Sequence, residues 1–245
     1  MSTDKTIGSA GNPADFSGIL VLDKPPGLTS MTAVAAVRRR AGGVRTGHAG
    51  TLDPLATGVL VMALGRATRS IERLMATDKR YRTEIDLTAF TATDDREGDR
   101  TEVAVATPPD EAAVRGALAR FTGTVLQRPP AFSAMKVGGR RAYAAARQGT
   151  PMELAPRPVR VDEIELVAYL WPTVTLDIRC GKGFYVRSLA RDLGVALGTG
   201  GHCASIRRTA VGPFTLDEAR SLDDLPRRLA PAELLPLEAA LARLG

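Results

Sequence analysis

The sequence predicts an α+β fold. Apolar strand-like runs and amphipathic helical stretches are interleaved along its 245 residues, but their connections vary in length and no strand–helix–strand period repeats. The composition fits a folded core, with 44% of residues hydrophobic and 24% charged. A chain of this length buries a sizeable interior without disulfides. No stretch approaches the roughly 20 apolar residues that a membrane-spanning helix requires.

Residues 1–17 lack the charged-then-apolar layout of a signal segment. They are expected to form a flexible terminus, and the chain to reside in the cytoplasm. Gly18–Asp23 reads as a short buried strand through Ile19, Leu20, Val21 and Leu22, stopped by the breaker run Lys24-Pro25-Pro26-Gly27. Thr29 or Ser30 then caps a helix whose apolar face is Val34, Val37 and Ala41. Arg38–Arg40 lie near its C-terminal end, where cations complement the helix dipole. Val59–Leu64 reads as a second buried strand, and Ile71, Leu74 and Met75 mark a short helix.

Tyr81, Thr83, Ile85, Leu87 and Ala89 alternate with Arg82, Glu84, Asp86 and Thr88, the pattern of a half-buried strand. Thr101–Ala106 is expected beside it, across a polar loop. Asp110–Phe121 reads as a capped amphipathic helix. In the second half, Val174, Leu176, Ile178 and Cys180 alternate as a strand, Phe184–Leu193 has helical spacing, and His202–Val211 reads as a strand. The Pro- and Arg-rich stretch from Gln127 to Pro158 is expected to protrude.

Lys and Arg number 33 against 27 Asp and Glu, a net charge of +6. Only five of the basic residues are lysine, so arginine, the better phosphate and base-stacking side chain, dominates. Cys180 and Cys203 match no ligand spacing, and His48 and His202 complete no zinc set with them. P-loop, GxSxG and HExxH motifs are absent. The run Gly198-Thr199-Gly200-Gly201 lacks the offsets of a dinucleotide fingerprint. The acidic loop Asp94–Asp99 hints at a calcium loop, but Ala104 stands where a bidentate Glu is needed. No metal and no cofactor is expected.

The most unusual run is Gly47-His48-Ala49-Gly50-Thr51-Leu52-Asp53-Pro54-Leu55-Ala56-Thr57-Gly58. Taken alone it reads as a turn, since Asp before Pro initiates turns and Gly tolerates left-handed backbone. Together with Leu22-Asp23-Lys24-Pro25-Pro26-Gly27-Leu28-Thr29-Ser30, however, it closely resembles the TruB family of tRNA pseudouridine synthases. The resemblance continues through Asp78-Lys79-Arg80-Tyr81-Arg82, Pro129-Pro130-Ala131-Phe132-Ser133-Ala134-Met135-Lys136 and Gly181-Lys182-Gly183-Phe184-Tyr185-Val186-Arg187. It ends in Ile206-Arg207-Arg208-Thr209. The blocks occur in family order across most of the chain.

The resemblance implies the pseudouridine synthase catalytic fold over residues 18–245, a mixed, largely antiparallel sheet flanked by helices and loops. It also implies an RNA-binding insertion at 127–151. Residues 212–245 are too short for the C-terminal PUA domain that relatives often carry. The implied reaction isomerises uridine 55 in the T loop of tRNA to pseudouridine, with no cofactor, no obligate protein partner and a monomeric enzyme embracing the T stem-loop. Asp53 matches the family's essential aspartate, able to attack C1′, add to the base or take a proton from C2′. Arg187 matches the arginine that pairs with it, and Asp95 is placed behind Arg187. Tyr81 matches the tyrosine that stacks on the base and is able to accept the C5 proton at the end, Tyr185 and Ile206 match pocket walls, and His48 matches a residue that holds the rearranged loop. Lys24, Arg140, Arg141, Arg147, Arg207 and Arg208 are candidate RNA contacts. The family's Thr-Asp-Thr reads Thr91-Ala92-Thr93 here, one polar contact fewer. A guide-dependent relative acting on rRNA, and an RNA-binding protein without catalysis, are the competing readings.

Overall fold

A computed structural model describes residues 16–133, 135–137, 140–141, 150, 152 and 154–244. Its strands are β1 (Gly18–Lys24), β2 (Thr46–His48), β3 (Thr57–Leu64), β4 (Lys79–Asp86), β5 (Ala89–Thr91), β6 (Arg100–Glu102) and β7 (Gly123–Gln127). They continue as β8 (Lys136–Val137), β9 (Arg140–Arg141), β10 (Arg157–Leu170), β11 (Thr173–Cys180), β12 (His202–Val211) and β13 (Phe214–Thr215). The helices are α1 (Ser30–Arg40), α2 (Ile71–Ala76), α3 (Glu111–Ala119), α4 (Val186–Leu197) and α5 (Leu237–Ala242). The fold is α+β, as predicted.

The main sheet runs in the order β1-β3-β12-β4-β11-β10-β7, with β2 added to β3 and β13 to β12. Among the described strands its one parallel pairing joins β12 to β3, with Arg207 opposite Thr57 and Arg208 opposite Gly58. β1 and β3 bury both faces. Leu20, Leu22, Leu60 and Met62 enter the larger core, while Ile19, Val21, Val59 and Val61 enter a second cluster with Leu74, Phe214 and Ala240. Strands covered on both sides read as unbroken apolar runs, which is how both appear in the sequence. The segment ending in α5 folds back along β1, where Ile19 and Leu235 exchange both backbone hydrogen bonds at 2.8 and 2.9 Å. No helix among the described residues is long and apolar enough to cross a membrane.

Thr29 caps α1, its Oγ1 accepting from the Thr32 amide at 3.0 Å. β4 keeps its alternation, with Thr83 and Ile85 buried and Arg80, Arg82 and Glu84 exposed. The strand stops short of Ala89, however. Asp86 Oδ1 accepts from the Thr88 amide at 2.7 Å, a turn that ends the ladder. Pairing resumes in β5, whose partner β6 forms a separate ribbon with Phe90 opposite Thr101. The expected strand at 101–106 is therefore shorter and lies off the main sheet.

The 14-residue β10 is the longest strand among the described residues, and its first residues fall in the stretch expected to protrude. Its pairing with β11 shifts register between Val161 and Glu163 and again between Leu166 and Ala168. Each bulge changes which face the side chains take, so no period of two runs through the segment. α4 starts two residues later than expected and runs to Leu197, closed by Gly198 at φ 69°. The glycine run after it serves packing: a Cβ on Gly200 would sit 2.2 Å from the Ala89 nitrogen, and one on Gly201 2.2 Å from the Ala190 oxygen.

Candidate active site

The loop between β2 and β3 is held through each carbonyl from Gly50 to Pro54. Ser30, the first residue of α1, is buried, and its Oγ donates to Leu52 O at 2.9 Å and accepts from Leu52 N at 2.7 Å. Arg208 is also buried, in the central strand β12. Its Nη2 donates to Gly50 O at 3.1 Å, its Nη1 to Thr51 O at 3.4 Å, and its Nε to Val59 O at 2.7 Å. Lys24, at the end of β1, donates from Nζ to Pro25 O and Leu28 O, both at 2.8 Å, and to Pro54 O at 3.2 Å. The Gly27 amide also donates to Pro54 O, at 2.8 Å. These elements clamp the carbonyls on either side of Asp53.

Parallel pairing of β3 with β12 brings Gly58 against Arg208. Gly58 has φ 101°, and a Cβ there would lie 2.2 Å from Arg208 O. Glycine is required on both counts. A nonspecific turn would tolerate other residues at this point, whereas this loop is built around one arginine.

Asp53 Oδ2 stands 2.9 Å from Nε of Arg187, whose side chain is only 4% exposed against 35% for Asp53. The Nε–H has no aligned acceptor, so the contact is an ion pair rather than a formed hydrogen bond. Arg187 projects from the first turn of α4. Its Nη1 donates to Thr93 O and its Nη2 to Phe132 O, each at 2.8 Å, and Nη1 lies 3.4 Å from Asp95 Oδ2. Asp95 is itself fixed, its Oδ1 accepting from Thr93 Oγ1 at 2.6 Å and from the Glu97 amide at 3.0 Å. One buried cation thus bridges two carboxylates. Burial raises the Asp53 carboxyl above its ordinary range, opposed mainly by the charge of Arg187.

A cavity of about 250 Å³ opens over this pair, walled by Asp53, Tyr81, Tyr185, Arg187, Ile206 and Ser133 among others. Tyr81 rises from β4 between Ile178 of β11 and Arg208 of β12. Burial raises its phenol pKa, with Arg208 acting in the opposite direction. Tyr185 caps α4 through its backbone: Gln127 Oε1 accepts from its amide at 2.8 Å, and Gln127 Nε2 donates to its carbonyl at 3.0 Å. Arg157 lies over its ring, 5.5 Å from the centroid.

Comparison with known proteins matches this arrangement to one group. The model of the TruB family pseudouridylate synthase N-terminal domain matches residues 38–186, and that of the tRNA pseudouridylate synthase B C-terminal domain matches residues 187–242. The chain belongs to the TruB family. The tRNA pseudouridine synthase B of Dinoroseobacter shibae is 50% identical over 233 residues, 93% of this chain and 76% of that protein. The same-named proteins of Arthrobacter sp. and Thermobifida fusca are 45% and 46% identical, over 92% of this chain and 76% and 78% of theirs. Among solved structures, a Cbf5-Nop10-Gar1 complex superposes with a TM-score of 0.68 at 30% identity, covering 91% of this chain and 59% of that one. An H/ACA ribonucleoprotein bound to a substrate RNA gives 0.69 at 26%, covering 94% and 62%. The chain therefore spans about three-quarters of these curated TruB relatives, and less than two thirds of the solved chains. The join between the two family models falls at Arg187, so the Asp53–Arg187 pair links the two matched parts.

Three of the residues expected to touch RNA differ in exposure in this TruB chain. Lys24 and Arg208 are 0% and 1% exposed and hold the loop through its carbonyls, and Arg208 also lines the cavity beside Asp53 and Tyr81. Arg207 forms a two-point ion pair with Asp23, Nη2 to Oδ2 at 2.8 Å, and lines an adjoining groove that shares Tyr81 with the cavity. His48 is half-buried on β2 outside the cavity lining, with Nδ1 unpartnered and its pKa lowered by burial and by Arg208. Arg147 and the side chains of Arg140 and Arg141 lie outside the described residues.

The stretch from Gln127, expected to protrude, is anchored at its start, and residues 134, 138–139, 142–149, 151 and 153 of it lie outside the described residues. Gln127 grips Tyr185, Ser188 Oγ donates to Arg128 O at 2.8 Å, Arg191 Nη2 donates to the same carbonyl at 2.9 Å, and Arg187 holds Phe132 O. Four side-chain attachments bind residues 127–132 to α4. Ser30, Thr93 and Gln127 carry much of this geometry and were not singled out as site residues in the sequence. Their only local signal was membership of, or proximity to, the ordered blocks. Among the described residues no group of three or more His, Cys, Asp or Glu could hold a metal ion.

Proposed function

We propose that this chain is a tRNA pseudouridine synthase that isomerises uridine 55 of the T loop, with Asp53 as its catalytic carboxylate. The observation that carries the reading is the Asp53–Arg187 ion pair on the wall of a cavity also lined by Tyr81 and Tyr185, in a chain of the TruB family. Detaching uracil from C1′ builds positive charge on the sugar, and a carboxylate is the natural group to meet it. Arg187 opposes the effect of burial on that carboxylate and so favours its ionised form. Attack at C1′, addition to the base and proton removal at C2′ are all open to it.

Tyr81 supplies a stacking wall for the detached base. Its raised pKa keeps the phenol neutral, which suits stacking and hydrogen-bond donation better than action as a free phenolate. Flipping the target nucleotide out of a folded loop costs a few kcal/mol, recovered by contacts in the cavity. Tyr185 and Ile206 complete the pocket, and His48 steadies the loop the base has left. Residues 18–245 form the catalytic domain, with 127–151 closing on the T stem-loop. The enzyme works as a monomer in the cytoplasm without an obligate protein partner. Identity of 45–50% to proteins named tRNA pseudouridine synthase B, against 26–30% to the ribonucleoprotein enzymes, favours a tRNA substrate over a guided one.

The test is tritium release from tRNA transcript labelled at uridine C5, at stated salt because phosphate contacts are salt-sensitive. The expected result is about one tritium per tRNA from the wild type and none from Asp53→Asn. Binding without release by the wild type overturns the synthase reading in favour of a non-catalytic RNA-binding protein.

A further inference from the structure

Ser133 belongs to the Pro129–Lys136 block, yet nothing in the site as described uses its side chain. It is 3% exposed, lines the cavity that holds Asp53 and Tyr81, and its Oγ has no hydrogen-bond partner. Buried hydroxyls are almost always paired, so an unpaired one on a cavity wall marks a group whose partner arrives with the occupant. Among the other buried side-chain atoms without a hydrogen-bond partner, Arg187 Nε also lines this cavity but is ion-paired with Asp53, whereas His48 and Asp162 do not line it.

We propose that the Ser133 hydroxyl hydrogen-bonds the target nucleoside and helps hold it over Asp53. This rests on the synthase reading above. The backbone that presents Ser133 is fixed from the same side chain that fixes the carboxylate: Phe132 O accepts from Arg187 Nη2 at 2.8 Å, while Arg187 Nε faces Asp53 at 2.9 Å. One guanidinium therefore sets Ser133 and Asp53 in register. Further back, Ser188 and Arg191 hold Arg128 O against α4, so the segment approaches the cavity on a rigid support. A serine hydroxyl both donates and accepts and rotates freely about its own bond. It can serve the ribose hydroxyls near C1′ or the uracil carbonyls, and it can follow a base that turns within the pocket between detachment and rejoining. The occupant is a nucleoside in either case, and the contact belongs to positioning rather than to proton transfer.

The experiment compares wild type, Ser133→Ala and Ser133→Thr in single-turnover tritium release from labelled tRNA, with tRNA affinity and thermal midpoint measured in parallel. S133A is expected to slow release about fivefold to tenfold, the worth of one neutral hydrogen bond. Its tRNA affinity, set mostly by backbone contacts, should stay within about twofold. Its midpoint should hold or rise, because an unmatched buried hydroxyl has been removed. S133T keeps the hydroxyl and should recover most of the rate. Wild-type rate in S133A overturns the proposal, as does a rate loss accompanied by a fall in midpoint, or an S133T as slow as S133A. If the wild type itself releases no tritium, the synthase reading fails and this one with it; an S133A that releases tritium at the rate of an active wild type removes this one alone.

Discussion

Arg187 and Asp53 meet at 2.9 Å although 134 positions separate them, and the arginine is the more deeply buried of the two. The charge that the chain withdraws from water is thus the supporting cation, while the carboxylate keeps a path to the cavity. Arg187 also spends two donors on carbonyls and faces Asp95, so its place is set from three directions. The Asp53 carboxylate inherits that rigidity, and Ser30, Arg208 and Lys24 hold the backbone beneath it. Preorganisation of this kind lets a single carboxylate meet developing charge without rearranging.

Replacing Arg187 should damage both stability and catalysis. Arg187→Ala leaves Asp95 buried beside no cation, and breaking a buried pair typically costs about 3–5 kcal/mol. Arg187→Lys keeps the charge but lacks the planar fork that reaches Thr93 O and Phe132 O together. Tritium release by the lysine variant should fall about 100-fold, in the range seen when one preorganised electrostatic group is lost. Urea unfolding and single-turnover release measure the two effects. A lysine variant with wild-type rate would show that position, not fork geometry, is what matters.

Ser30→Ala probes the loop from a buried residue outside the cavity lining. Its hydroxyl serves both polar groups of Leu52, so alanine leaves a buried amide and carbonyl unmatched at a cost of about 1–3 kcal/mol. Asp53 follows Leu52 directly, and release of tritium should slow with little change in tRNA affinity. Equal rates in wild type and variant would mean that Arg208 and Lys24 hold the loop unaided.

Legibility differed from element to element for physical reasons. β4 was readable because Thr83 and Ile85 alternate with exposed neighbours, and β1 and β3 because burial on both faces leaves only apolar residues. β10 was not, since two bulges reset its phase within one strand. At the site, Asp53 and Arg187 could be named from their blocks, but not the converging carbonyls. Lys24 and Arg208 looked like surface cations because nothing local distinguishes a phosphate contact from a buried clamp. Their acceptors lie as far as 30 and 158 positions away. Ser30 could be taken for a cap, the usual role of serine at that point. Only tertiary packing shows Thr29 capping and Ser30 turned to Leu52.

Gly58→Ala should be among the most disruptive single changes in the chain. The new Cβ would stand 2.2 Å from Arg208 O on a backbone at φ 101°, which an L side chain rarely adopts. Relief requires β3 to move off β12, taking Arg208 away from Gly50 and Thr51. A loss of more than about 3 kcal/mol is expected from strain and broken pairing combined. Circular dichroism against urea reads it, and a midpoint near wild type would mean that the two strands part more easily than this packing implies.

The pH dependence of activity should carry the mark of Asp53. Burial raises its pKa and Arg187 opposes the rise, so the acid limb of the rate profile should lie above the ordinary carboxylate range. Removing the opposing charge in Arg187→Gln should carry the limb to still higher pH. A limb at the same pH in both proteins would assign it to another group.

Stability, in contrast, should respond on the alkaline side. Lys24 and Lys79 are held near 8 rather than 10.5, chiefly by burial, although each donates to backbone carbonyls. Between those values the unfolded chain binds protons that the folded chain has released, so folding gains as pH rises. Cys180 and Cys203 act in the opposite sense. Burial pushes both thiols above their usual 9, Cys180 to about 12, so the folded chain keeps protons that the unfolded chain loses. The urea midpoint should therefore climb from about pH 8 to about pH 9 and then level off as the thiols oppose the lysines. With both cysteines replaced by alanine, the climb should continue further. A wild-type midpoint that falls steadily over the first interval would show that the carbonyl cages hold both ammonium groups charged.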